Sequence, residues 1–129
     1  MRALIFPVLL ASSITAMAAP CDEVDRGLSL SRQLSLPSIV ERQLGISPVQ
    51  ILGSMSEGTW SILSVLTPQS DPPFLFFSDN PQNSHFVTLW AGAASAKEEF
   101  EVKSWVIEHA PGIPSSLAAC FAWHVSVEH

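Results

Sequence analysis

The chain has no tyrosine and little positive charge: six Lys and Arg face twelve Asp and Glu in 129 residues, a formal net charge of −6. Nucleic-acid binding and adsorption to anionic lipid both need clustered cations that neutralise phosphate. Neither partner is therefore expected. Tyrosine is the usual amphipathic ring of recognition surfaces, so its absence moves the reading of the remaining rings toward a core. Cysteine is also scarce, with two residues, and these lack the C-x-x-C spacing of redox-active pairs. His85, His109, His124 and His129 show neither the i, i+4 pairing of a helical zinc site nor another compact ligand spacing. There is no glycine-rich phosphate loop, no N-glycosylation acceptor and no internal repeat. No motif implies a cofactor.

The N-terminus carries one positive charge, Arg2, before the apolar run Ala3–Ala11. Small residues follow, and Ala16-Met17-Ala18 supplies the small-x-small pattern of a signal-peptidase site. Residues 1–18 read as a cleavable signal peptide and residues 19–129 as one small domain. The apolar run falls short of the roughly 20 residues that span a bilayer, and Pro7, Ser12, Ser13 and Thr15 interrupt it. Pro20, immediately before Cys21, is the wrong residue for lipid attachment to that cysteine. The expected product is soluble, without a stable membrane anchor, and periplasmic or extracellular. Cleavage removes Arg2 and makes the chain one charge more acidic, which favours solubility and basic partners. Export also places Cys21 and Cys120 in an oxidising compartment, where a pair tends to become a disulfide. A bridge closing a loop of this size contributes at most about 4.7 kcal/mol in the chain-entropy description.

Apolar spacing predicts an α+β fold. Ser35–Gly45 reads as a short helix with Pro37 in its first turn, Leu36, Ile39, Val40 and Leu44 on one stripe, and Gly45 as the stop. The alternation of Leu28, Leu30, Leu34 and Leu36 leaves a strand open upstream. Val49–Ser56 and Thr59–Thr67 read as strands joined by a tight turn at Glu57-Gly58. Phe74-Leu75-Phe76-Phe77 is apolar on both faces, as in a strand covered on both sides. His85–Ala93 reads as a further strand, with Phe86 and Trp90 on one face. Short connections favour an antiparallel meander of about four strands. The period then becomes helical. Ser95 and Glu98 form a capping box, Val102, Trp105, Val106 and His109 share a stripe, and Ala110–Pro114 breaks the helix. Ser115 or Ser116 caps a last helix with Leu117, Cys120, Phe121 and His124 on one side. The two C-terminal helices are expected on one face of the sheet.

Gly53–Gly58 falls one residue short of Gly-x-Ser-x-Gly around Ser56, and it reads as strand and hairpin where a nucleophile elbow needs a strand-to-helix turn. His109 and His124, on the inward stripes of the two C-terminal helices, could approach each other and serve an enzyme with a Ser or Glu partner. The leading expectation is instead a non-enzymatic interaction or inhibitor-type module. Its candidate contact surface is one face of the aromatic strand, Phe74, Phe76 and Phe77, for another protein or a second copy of the chain. A third expectation is a carrier holding an apolar ligand between sheet and helices.

Overall fold

The structure is a computed structural model describing residues 19–69 and 71–128. The expected signal peptide, residues 1–18, and His129 lie outside the described residues. The fold is α+β, with one helix, a four-stranded antiparallel sheet and two C-terminal helices.

Helix α1 spans Leu30–Leu44 and starts earlier than its stripe suggests, because Ser29 caps it by accepting the Arg32 N–H at 3.2 Å. The upstream leucines therefore form no strand. Leu30 and Leu34, four apart, lie exposed on the outer side of the helix, while Leu36 and Val40 are buried. Pro37 sits inside the helix and not in its first turn. Gly45 ends it in the left-handed region at φ 67°, its N–H bonded to the Glu41 carbonyl at 2.8 Å.

Strands β1 (Gln50–Glu57), β2 (Trp60–Leu66), β3 (Phe74–Phe77) and β4 (Thr88–Trp90) lie in chain order, each antiparallel to the next. The β1–β2 turn consists of Gly58 and Thr59, one residue later than expected. Gly58 takes φ 61° while, among the described residues, no non-glycine residue has positive φ, an arrangement in which only the first turn position needs glycine. A bulge between Ile51 and Gly53 decides the rest of β1. On a regular strand Ile51 and Met55 would share a face, since side chains alternate with period two. The extra residue, Leu52, shifts the register, so Ile51 packs on the α1 side and Met55 on the opposite side.

Strand β4 is shorter than the expected 85–93 segment, and Phe86 and Trp90 do not share a face. Phe86 packs on Phe77, centroids 6.4 Å apart, on the α1 side; Trp90 packs on Phe121 at 5.6 Å on the other. The cause is Gln43 of α1. Its Oε1 accepts the Phe86 N–H at 3.0 Å and its Nε2 donates to the Ser84 carbonyl at 2.9 Å, which holds this backbone out of the ladder.

A 3₁₀ turn at Ala96–Glu98 leads into α2 (Glu99–His109), and α3 (Ser115–Trp123) continues into a π-helical turn, His124–Glu128. The Glu98 carboxylate accepts the Ser95 N–H at 3.0 Å and hydroxyl at 2.9 Å, and these bonds lower its pKa. The expected serine cap of α3 is not formed. Pro114 holds the cap position, and Ser116 donates to the Glu57 carboxylate at 2.6 Å, tying the start of α3 to the end of β1.

The sheet is covered twice. Trp60, Ile62 and Phe76 pack with Val102, Val106, Leu117 and Phe121 beneath α2 and α3, whereas Leu63, Val65, Leu75 and Phe77 pack with Leu36 and Val40 beneath α1. This corrects the expected contact surface. Phe76 and Phe77 are each 0 % exposed and are buried by helices of their own chain, and Phe74 is half-buried against Phe121. The centre of the α2/α3 side is the Phe121 ring, 5.0 Å from Phe74 and from Phe76, in edge-on geometry. Phe121→Ala should cost about 3–5 kcal/mol in urea unfolding. Phe76→Glu and Phe77→Glu should each unfold the domain and not merely change its solution mass, because each places an unpaired charge in a closed core.

Candidate functional site

Asp25 meets the outer edge of β1 in an isolated antiparallel bridge. Its N–H donates to the Ser56 carbonyl at 2.9 Å and its carbonyl accepts the Ser56 N–H at 2.8 Å. Ser56, the serine of the near-miss elbow, thus has its backbone tied into a strand and bridge. The segment leading to Asp25 is fastened by the disulfide Cys21–Cys120, Cα atoms 4.7 Å apart, with Cys120 fully buried and its sulfur 3.8 Å from that of Met55. Just beyond Asp25 the Gly27 N–H turns back onto the Asp25 carboxylate at 2.8 Å, and the chain leaves the edge for α1.

This path carries Arg26 to the C-terminal turn. The Arg26 guanidinium forks onto the Glu128 carboxylate, Nη1 to Oε2 at 3.1 Å and Nη2 to Oε1. His124 Nδ1 lies 2.6 Å from the same Oε1. Because carboxylate oxygens only accept, Nδ1 carries the hydrogen and donates. The 3.4 Å approach of Arg26 Nη2 to Nδ1 then sets two donors side by side on one acceptor and is not a bond between them. The tautomer is thereby assigned, and among the described residues Nε2 takes no hydrogen bond. The hydrogen bonds from Arg26 and His124 lower the Glu128 pKa to about 2, and Glu128 in turn raises that of Arg26. His124 also sets its ring edge-on to Phe74, centroids 5.9 Å apart.

Beside this cluster lies an open cleft of about 330 Å³, with Arg26 and His124 on one side and Leu52–Met55, Ile62 and Ser64 on the other. Alternation puts Ser64 on the same face as Ile62, and Gly53 pairs across from it. A Cβ on Gly53 would meet no atom within 4 Å. The cleft thus combines a carboxylate-oriented imidazole, a small-residue floor and an apolar flank. Small-molecule sites share that mixture, near the lower end of their usual volume range.

The two histidines singled out by the stripes are not brought together. His109 is exposed; its ring stacks on Trp105 at 4.3 Å and its Nδ1 lies 2.8 Å from the Trp105 carbonyl. His124 does have a Glu partner, Glu128. Sequence reasoning missed Glu128 and Arg26. The His124/Glu128 spacing of four on a helix was an available signal. Arg26 was not legible until Cys21 and Cys120 were joined. Among the described residues, no three His, Cys, Asp or Glu side chains group as metal ligands, and no helix is long and apolar enough to cross a membrane. No protein-family model, curated protein or solved structure matches the chain.

The lowered Glu128 pKa fixes a pH dependence. A carboxylate lowered on folding contributes stability above its unfolded value, 4.5, and loses that contribution as pH falls toward about 2. Because the side chain is 31 % exposed, the contribution is that of a surface pair, about 1 kcal/mol or less. Thermal unfolding of the wild type and Glu128→Gln should therefore differ most above pH 5 and converge below pH 3. A gap that widens on acidification would contradict this assignment.

Proposed function

We propose that the chain is an exported, disulfide-stapled binding module of the interaction or inhibitor type, acting in the periplasm or outside the cell, with the cleft beside Arg26 and His124 as its ligand-bearing surface. The observation that carries this reading is the Cys21–Cys120 bond, which spans a sequence separation of 99 and has one sulfur in the core. Such bonds persist in oxidising compartments, and reducing ones reverse them. The expected leader at residues 1–18 agrees with that environment. A small domain with its ends fastened together is a rigid support for a recognition surface, since little ordering is left to do on binding. The carrier reading is less well supported. The space between the sheet and the C-terminal helices is filled by Phe74, Phe76, Phe121 and Trp90, and the cleft lies at its edge, lined partly by charged and hydroxyl groups.

A second reading, a small acid–base enzyme, is favoured by one observation, the 2.6 Å hydrogen bond that orients His124 beside the cleft. General-base catalysis by an oriented imidazole is worth about 10²–10⁴-fold. The binding reading expects no turnover of ester, phosphoester or glycoside chromogens above background. Turnover that falls by that factor in His124→Gln would replace it with the enzyme.

Export and oxidation are tested on the product recovered from its native compartment. Its intact mass should correspond to a chain beginning at Ala19, and thiol titration should find no free cysteine. Non-reducing peptide mapping should show the Cys21–Cys120 link, and reduction should lower the melting temperature. Two alkylatable cysteines, or a full-length chain retained in the membrane fraction, would overturn the reading.

A further inference from the structure

A second cleft, of about 310 Å³, is walled by three stretches of chain: the start of α1 with Arg32, the β1–β2 turn with Ser56 and Ser61, and the loop after β3 with Asp79 and Asn80. Ser61 shares a strand face with Leu63 and Val65, the face that α1 covers, and Ser56 pairs across from it. The cleft therefore opens on the α1 side of the sheet. Arg32 and Asp79 carry opposite charges on different walls, yet they form no ion pair; among the described residues every ion pair ends on Glu128. The Asp79 wall is held in place. The Asp79 and Asn80 carbonyls accept the Ser84 hydroxyl at 3.1 Å and 2.7 Å, and Gln43 of α1 holds the Ser84 carbonyl at 2.9 Å. Within the Asp79 carboxylate, Oδ1 accepts the Asn80 N–H at 2.7 Å. Among the described residues, Oδ2, the Arg32 guanidinium and the Asn80 amide nitrogen of the side chain take no hydrogen bond. On the floor, Ser61 is 5 % exposed and its hydroxyl has no partner; of the four described residues in that condition it alone lines this cleft. Buried hydroxyls are nearly always bonded, so this one marks a bond completed from outside the chain.

From this we propose that the cleft binds a small zwitterion of the free amino-acid type, with its carboxylate on Arg32 and Asn80 and its ammonium group on Asp79. The charges decide the class. An anion alone would be opposed by Asp79 and a cation alone by Arg32, whereas a molecule bearing both signs is met by both walls. A guanidinium answers a carboxylate with two parallel donors, and the free Asp79 oxygen accepts from an ammonium group. The groups that meet the ligand are open to it: Asp79 and Asn80 are exposed and Arg32 is half-buried. The volume lies at the lower end of the range for small-molecule sites, which suits a ligand of few heavy atoms and not a large cofactor. A sugar fits less well. The one ring in the lining, Trp60, is 9 % exposed and packs beneath α2 and α3 on the opposite face, so it offers no stacking platform. This site is separate from the cleft beside Arg26 and His124, and its failure leaves the binding-module reading where it stands.

The test is titration of the oxidised protein with the common free L-amino acids, read by amide chemical shifts. The expected result is saturable binding of at least one of them, with shifts concentrated at Gly58, Thr59 and Asn80. Two blocked forms of that amino acid separate its charges: the amide lacks the carboxylate and the N-acetyl form lacks the ammonium group. Each should bind the wild type at least tenfold more weakly. Two variants then assign the charges to their walls. In Arg32→Gln the free amino acid should lose its advantage over the amide, and in Asp79→Asn its advantage over the N-acetyl form. Asparagine keeps the oxygen that accepts the Asn80 N–H, and circular dichroism checks that both variants are folded. The blocked forms decide the matter on the wild type if either variant is not. No saturable shift with any amino acid overturns the proposal. So do blocked forms that bind as tightly as the free amino acid, or a blocked form whose deficit survives in its matching variant. Inorganic sulfate bound as tightly as the amino acid overturns it in favour of a simple anion site. Shifts confined to the neighbourhood of Arg26 and His124 overturn it in favour of the other cleft.

Discussion

The two central strands are apolar on both faces, and the rest of the fold follows from burying them. In β2, Trp60 and Ile62 point one way and Leu63 and Val65 the other; in β3, Phe76 and Phe77 do the same. Leaving either face in water would expose an apolar patch of a size that folded monomers rarely tolerate. A three-layer arrangement, α1 below and α2 with α3 above, answers this within one chain. The same requirement makes the bulge at Leu52 consequential. It lets β1 supply Ile51 to one layer and Met55 to the other.

The N-terminal segment joins the layers at the rim. From Cys21 and Val24, which pack beneath the C-terminal helices, it crosses the β1 edge at Asp25 and reaches α1 on the opposite face. The disulfide holds the start of this crossing and the Arg26 fork onto Glu128 holds its far side, five residues on along one element and eight along the other. The two fastenings differ in kind. The bridge acts on the unfolded ensemble whatever the pH, whereas the fork depends on an ionised carboxylate that is a third exposed. The cleft sits between the crossing segment, the β1 edge and the C-terminal turn. Its walls therefore come from four stretches of chain: the paired strands β1 and β2, the crossing segment with Arg26, and the C-terminal turn with His124.

The π-helical turn His124–Glu128 is part of this arrangement. His124 and Glu128, four residues apart, lie on the same side of it, and there Arg26 bonds to the Glu128 carboxylate. Widened turns of this kind are frequent at functional sites. The His–Glu–Arg cluster is also a fastening, and the two descriptions are compatible. A group that positions a side chain at a cleft is more effective if the elements carrying it cannot separate.

By itself, the amino-acid sequence determined the α+β class, the meander, the two faces of Phe74–Phe77, the Gly45 stop and the pairing of the cysteines. Each of these follows from a local period, a turn residue or an even cysteine count. It also pointed to His124. What it could not determine was anything set by register or by contacts distant in the chain. The flip of Met55 depends on one extra residue in a ladder. The place of Phe86 depends on two hydrogen bonds from Gln43, and the start of α1 depends on a cap ahead of its apolar stripe. The cover over Phe77 depends on where α1 packs, which no local pattern records, and this is why an aromatic strand that read as a contact surface proved to be core. The partners of His124 were legible only as far as Glu128, four residues away on one helix face. Arg26 enters because the tertiary structure folds the first described residues against the last, and that proximity is the work of long-range packing and a covalent bridge.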